Sequence, residues 1–330
     1  MKAAILKGLN QLVIDTVPQP IAGLGEVLVR LQAAALNHRD VWIKTGQYAG
    51  VHYPIILGSD GAGIIVEVGS NVDTVWIGRE IIINPAFDWG HSERSQEPQF
   101  SILGLPKNGT FAEYITVPLS QIAPKPNHLS WEEAASLPLA GVTAYRALFS
   151  RAHLQAGEKV LINGIGAGTA LFALQFAVAI GALPSVTSSC NDKLAQASGL
   201  GAKAGCLYTL EDWHIDFGRH HGPFDVIVDS AGGAVFDHLI DLASSGGRLV
   251  FFGATRGNPS ELAIRKLFWR QLSLLGTTMG SPSDFTAMID FVKTHDIKPI
   301  ISDVFTLDTL SVAFSCMEQG KQFGKLVVRL

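Results

Sequence analysis

The chain is poor in charge. Only 16% of its 330 residues are Asp, Glu, Lys or Arg, against about 25% in an average domain. No basic cluster interrupts the balance, and the net charge is −4. That excludes nucleic acid and anionic membrane surfaces as expected partners. Cysteine is scarce: Cys190, Cys206 and Cys316 lie far apart, without metal-ligand or disulfide-framework spacing. A reducing, cytoplasmic location is the simplest reading. Long apolar runs are missing too. The longest, Thr169–Leu183, is broken by Gln175 and Gly181 and falls short of the roughly 20 residues of a membrane span. It reads as a buried helix. The first residues, MKAAILKG, are too short for a secretory apolar core.

What is present is apolar bulk, 47% of the chain, enough to bury two domains. The first ~120 residues read as strands and turns: Lys2–Leu6, Leu12–Ile14, Glu26–Leu31 and Ile64–Val68 are β-branched or alternating, with Gly and Pro between them. A helix is predicted from Trp131, with Ser130 as N-cap and Glu133 as its capping-box partner. From Lys159 the rhythm becomes strand, glycine-rich turn, helix, strand. The strands are Val160–Ile162, Ser185–Thr187, Val226–Asp229, Arg248–Phe252 and Leu272–Gly276, with helices such as Leu171–Ile180 and Lys193–Leu200. This alternation predicts an α/β fold with a doubly wound parallel sheet. The final strand, Lys325–Leu330, has no partner nearby in sequence. It is expected to pair with the first domain, giving domains of 1–122 with 281–330, and 123–280.

The segment KVLINGIGAGTALFALQFA, Lys159–Ala177, runs a short strand into Gly164, Gly166 and Gly168 and then a long apolar helix. Glycines there let the backbone approach a pyrophosphate, whose charge the free N–H groups of the helix start then hold. The strict G-x-G-x-x-G is not met, since its sixth position is Thr169; a looser spacing of Gly164, Ala167 and Ala170 fits. Twenty residues past Gly168, where an NAD site usually carries Asp or Glu, stands Ser188, followed by Ser189 and, a turn later, Lys193. A serine with a nearby lysine would accept a 2′-phosphate. NADPH is therefore the expected cofactor. Asp192 reads as a helix cap, and Lys193 reads equally as a surface lysine.

Several further blocks occur in one order: AAALNHRDVWIKTGQY (Ala33–Tyr48), PIILGSDGAGIIVEVGSNV (Pro54–Val72), GTFAEY (Gly109–Tyr114), AASLPLAGVTAYRAL (Ala134–Leu148), DVIVDSAGG (Asp225–Gly233) and FGKLVV (Phe323–Val328). With the cofactor loop they cover essentially the whole chain. On these blocks it resembles the medium-chain dehydrogenase/reductases, and within them the zinc-independent, quinone-oxidoreductase-like branch. The resemblance implies a GroES-like β-rich catalytic domain beside a Rossmann domain, with substrate and nicotinamide between them, and homodimers through the Rossmann domains. It also implies that zinc ligands would stand at Asn37, at Ser59-Asp60 after Gly58, and at Leu139. Catalytic zinc takes three soft or borderline ligands, which Asn, Ser and Leu cannot supply, so no metal is expected. The region of the structural-zinc lobe, Phe87–Leu105, has no Cys; Asp88, His91 and Glu93 read as solvated loop residues.

Without a Lewis acid, hydrogen-bond donors must polarise the substrate. Asn37, in the place of a zinc ligand, is expected to donate to a carbonyl oxygen or a ribose hydroxyl. Tyr48 resembles the tyrosine that superfamily enoyl-thioester reductases use as proton donor; its alternative is a half-buried loop tyrosine. Asp40 would orient its neighbours or pair with Arg39 or Lys44. By resemblance Thr143 and Lys325 approach the cofactor, Tyr208 approaches the 2′-phosphate, and Gly253 ends a strand beside them. The function expected is hydride transfer from NADPH to a quinone or an α,β-unsaturated carbonyl. The alternatives are an enoyl-thioester reductase with Tyr48 as acid, and a non-catalytic NADPH-binding protein.

Overall fold

A computed structural model describes residues 1–259 and 261–330. The chain forms two compact units, Met1–Val142 with Gly280–Leu330, and Thr143–Met279.

The first unit is built on a seven-stranded sheet. Its spine is Glu26–Ala35, which pairs antiparallel with Asp60–Val68 on one edge. On the other edge it pairs with Tyr114–Pro118 along its first half and with the terminal strand Lys325–Arg329 along its last residues. In that register Val327 faces Ala35 and Arg329 faces Ala33. The terminal strand continues in parallel to Ile301–Thr306. Apolar residues from both faces are removed from water, with Leu36, Ile43, Leu57, Phe111, Phe314 and Leu326 packed in one cluster and Val27, Ile65, Ile81 and Val117 in another. The helix Trp131–Ser136 starts on the predicted capping box, with Glu133 N–H donating to Ser130 Oγ at 3.2 Å and Ser130 N–H to Glu133 at 2.7 Å. It packs on Glu26–Ala35, Asp60–Val68 and Lys325–Arg329 through buried Ala134 and Ala135. Those contacts hold residues 123–142 in the first unit, so the boundary falls about a helix later than the sequence pattern suggested.

The second unit has six parallel strands in the order Ala204–Leu207, Leu183–Ser188, Lys159–Ile162, Phe224–Asp229, Ala243–Phe251, Ser273–Gly276. Numbered along the unit this is 3-2-1-4-5-6, the dinucleotide-binding order. The strand order reverses between Lys159–Ile162 and Phe224–Asp229, and ligands of such sheets bind at that switch point, outside the carboxyl ends of the strands. The helix after the first strand, Gly168–Ala179, is apolar and mostly buried, as read from its sequence, and starts earlier than its periodicity indicated. No helix among the described residues is long and apolar enough to cross a membrane.

Candidate active site

In the first unit, Asn37 ends one strand connection and caps the helix His38–Lys44. Asp60 opens the strand Asp60–Val68, and Lys325 opens the terminal strand. Gly58, two residues before Asp60, has φ +96°, and an added Cβ would lie 2.6 Å from Thr110 Oγ1 and 2.9 Å from the Phe111 nitrogen. Only glycine lets the chain turn there. The fold thus gathers three side chains from distant parts of the sequence. Lys325 Nζ donates to Asn37 Oδ1 at 2.7 Å and to Asp60 Oδ2 at 3.0 Å. Asn37 Nδ2 donates to the same Asp60 oxygen at 2.9 Å. The other Asp60 oxygen accepts the Leu139 backbone N–H at 2.8 Å. Asp60 is fully buried and Lys325 is 4% exposed. A buried ion pair persists only when hydrogen bonds satisfy the remaining polar atoms, and Asn37 and Leu139 do this for the carboxylate.

Asp40 orients its neighbours, the first of the two roles expected of it. Its carboxylate accepts the Asn37 N–H at 2.8 Å and the Gly58 N–H at 3.3 Å, and it is fully buried. Burial pushes its carboxyl up to about 6, against the opposing pull of Arg39 and the Asn37 amide; the Asp60 charge adds to the rise. Asp40 is therefore a positioning residue for Asn37 and Gly58. Neither suggested ion pair is formed by hydrogen bonding: Arg39 donates to Ser59 Oγ at 2.6 Å and to the Leu103 carbonyl at 2.7 Å, and Lys44 pairs with Glu318 at 2.6 Å. Tyr48 is half-buried, with its ring 5.2 Å from the Arg39 guanidinium. Its hydroxyl bonds to no group among the described residues. Burial, and then the charge of Lys325, lower the pKa of His38.

The donor set does not suit zinc. Asn37, Ser59, Asp60 and Leu139 offer one amide, one hydroxyl already bonded to Leu103 O at 2.8 Å, one carboxylate and an aliphatic chain. A dication here would also meet the Lys325 ammonium, already in contact with Asn37 and Asp60. In the 87–105 segment, Glu93 accepts hydrogen bonds from Ser281 and Ser283 at the start of the helix Pro282–Thr294. Glu93 is an exposed loop residue, as read from the sequence, and these bonds tie its loop to that helix.

In the second unit the glycine turn has the backbone expected of a phosphate cradle. Gly164 and Gly166 have φ +79° and +134°, Ala167 is the N-cap, and Gly168 and Thr169 begin the helix. The Lys193 side chain lies over the turn: a Cβ on Gly166 would come within 2.9 Å of its Cδ and 3.2 Å of its Nζ. A buried network ties the carboxyl ends of three strands. Thr187 Oγ1 donates to Asn163 Oδ1 at 2.6 Å and accepts the Gly164 N–H at 2.9 Å, while Asn163 Nδ2 donates to Asp229 at 2.7 Å. Asp229 also accepts the Ala231 and Gly232 amides at 3.1 and 2.8 Å, so it caps its own turn. Ser188 ends its strand, buried, and accepts the Cys190 N–H at 3.2 Å; Ser189 is exposed. The Tyr208 N–H donates to the Ser188 carbonyl at 3.0 Å, and Arg256 lies 5.1 Å from the Tyr208 ring. Thr143 is buried in the helix Pro138–Tyr145. Gly253 is required by packing, since a Cβ there would meet the Ser230 carbonyl at 2.5 Å. Lys325, expected at the cofactor, has Asn37 and Asp60 as its partners.

Two residues escaped the sequence reading. Arg256 sits in a loop with no motif around it. Asp60 was visible only as a vacated ligand position, although GSDG pointed at the place.

Comparison with known proteins fits this architecture. Residues 23–127 match the alcohol dehydrogenase GroES-like domain, and residues 168–294 match the zinc-binding dehydrogenase family. A zinc-type alcohol dehydrogenase-like protein YogA of Leptosphaeria maculans is 34% identical over 96% of this chain and 94% of its own. A crotonyl-CoA reductase of Streptomyces avermitilis is 29% identical over 96% of this chain and 81% of its own. A crystal structure of an NAD-dependent alcohol dehydrogenase superposes with a TM-score of 0.94, at 35% identity and full coverage of both chains. The chain belongs to the medium-chain dehydrogenase/reductase superfamily and is an oxidoreductase of it. Nicotinamide binding is expected of this family, and the glycine turn of the second unit fits it.

Proposed function

We propose that the protein is an NADPH-dependent reductase of α,β-unsaturated carbonyls or quinones that works without zinc. The observation that carries this reading is the Lys325–Asn37–Asp60 triad, a protein cation bonded to two of the positions at which the family resemblance would put zinc ligands. The cofactor would be held by the backbone of Gly164, Gly166, Ala167, Gly168 and Thr169, where helix N–H groups meet a pyrophosphate. Ser188, Ser189, Lys193, Tyr208 and Arg256 would receive the adenosine ribose. A serine in place of a carboxylate and two cations near the strand end favour a 2′-phosphate. When bound, the nicotinamide supplies the hydride. The chain itself orients Asn37 through Asp40, neutralises Lys325 with Asp60, and keeps water from both.

The crotonyl-CoA relative favours a second reading, reduction of an enoyl thioester with Tyr48 as proton donor; its unbonded hydroxyl is available for that role. We also propose a homodimer formed through the second unit, whose edge strand Ser273–Gly276 follows exposed Phe268 and Trp269.

A panel of quinones, enals, enones and enoyl-CoA thioesters, assayed for NADPH and NADH oxidation, tests the reading. Preferred turnover of an enone or quinone with NADPH supports it. Turnover restricted to thioesters selects the second reading, and NADPH binding with no turnover removes both. A full equivalent of zinc in the purified protein would sink the metal-free account.

A further inference from the structure

Lys325 has more donor capacity than its surroundings use. An ammonium carries three N–H donors. Two are spent on Asn37 Oδ1 and Asp60 Oδ2, and the third has no acceptor among the described residues. Yet the side chain is 4% exposed, so this donor is not dissolved in bulk water. A buried, oriented cation with one open donor can stabilise a developing oxyanion far better than the same group in water. The neighbours keep it oriented. Asn37 accepts from Lys325 and donates to Asp60, which fixes the amide. Asp40 fixes the backbone beneath Asn37 by accepting its N–H.

We infer that Lys325 is the electrophile of this enzyme: its third N–H receives the carbonyl oxygen of the substrate. This rests on the reading of the protein as a carbonyl-directed reductase. In the reaction on an enone, a hydride taken from the reduced nicotinamide forms a C–H bond at the β-carbon. The C=C pair shifts toward the carbonyl and the C=O pair moves onto oxygen, giving an enolate opposite Lys325. A proton from Tyr48 or water then reaches the α-carbon and restores the C=O bond. The substrate gains two electrons and two hydrogens, and the nicotinamide is oxidised.

The test uses the full chain and Lys325→Gln, which keeps a hydrogen-bonding end and loses the charge. The probe is 4-(dimethylamino)cinnamaldehyde, an enal whose absorption moves to longer wavelength when its oxygen meets a positive charge. With oxidised cofactor present, the wild type should shift the probe and Lys325→Gln should not. Turnover of cyclohexenone should fall about 10²–10³-fold in kcat, while NADPH affinity, read by fluorescence, stays within about threefold. If Lys325→Gln fails to fold, the double variant Asp60→Asn with Lys325→Met removes both charges together and takes its place. A folded charge-free variant that keeps the red shift, or keeps kcat within about threefold, overturns the assignment, as does a wild type that leaves the probe unshifted. A wild type that shifts the probe but reduces no carbonyl upholds Lys325 as the oxygen's partner and overturns the reductase reading instead.

Discussion

Removing either charge of the Asp60–Lys325 pair should cost much more than removing both. The two groups are 3.0 Å apart with side chains 0% and 4% exposed. At an effective dielectric of about 20, such a pair interacts by about 5 kcal/mol. Asp60→Asn leaves an ammonium in the interior facing Asn37 alone. Lys325→Met leaves a carboxylate with only the Asn37 and Leu139 donors. Each single variant should lose about 3–5 kcal/mol, the usual cost of stranding one partner of a buried pair. The double variant strands no charge, and what it loses is the hydrogen bonding of Asn37, about 1–3 kcal/mol. The coupling in the four-cornered cycle should therefore be at least about 3 kcal/mol. Urea unfolding of the four proteins, followed by both circular dichroism and tryptophan fluorescence, measures it where the two probes coincide. Losses that add to within about 0.5 kcal/mol, as for independent sites, would refute a charge pair of this kind and with it the electrostatic argument for Lys325.

Asp40 sets a pH dependence of stability. Its carboxyl is at about 6 in the folded protein against an ordinary 3.8. The folded state thus holds a proton the unfolded chain has lost between about pH 4 and 6, so this group makes stability fall as pH rises through that window. The full effect is about 3 kcal/mol, and Asp40→Asn should gain by that amount on the wild type from pH 4 to 7 in denaturant titrations; parallel curves would contradict it. For the cofactor, Ser188→Asp should lower the NADPH-to-NADH ratio of kcat/KM by about 10–100-fold, from a lost charge-assisted contact and added repulsion; a wild type that already prefers NADH defeats the reading of that strand end. Tyr48→Phe should lower kcat on enones by about 10²-fold or more and leave quinones, which need no carbon acid, near wild type. Equal losses on both would make Tyr48 a positioning residue.

Much of the second unit was legible because its signals are local. A strand, three glycines and an apolar helix fall within twenty residues, and the left-handed φ values at Gly164 and Gly166 are what that spacing anticipates. The terminal strand could be assigned to the first unit by elimination. The unit boundary could not be read, because the helix Trp131–Ser136 is held by strands lying about 60 to 190 residues away in sequence. Asp40 was expected to orient its neighbours or to pair with a nearby cation, and only the structure shows that its carboxylate closes on two backbone amides.

The sequence by itself determined the class of fold, the glycine turn, a serine rather than a carboxylate twenty residues past Gly168, and the absence of soft ligands at Asn37, Ser59 and Leu139. Those are statements about residue type at a given place along the chain. Only the tertiary structure decided what fills the vacated ligand positions. Lys325 and Asp60 are 265 residues apart, and they meet because the terminal strand and Asp60–Val68 both pair with the end of Glu26–Ala35 in a particular register. A pairing of that range has no spacing to announce it. Its strength comes from burial, which sequence alone does not measure.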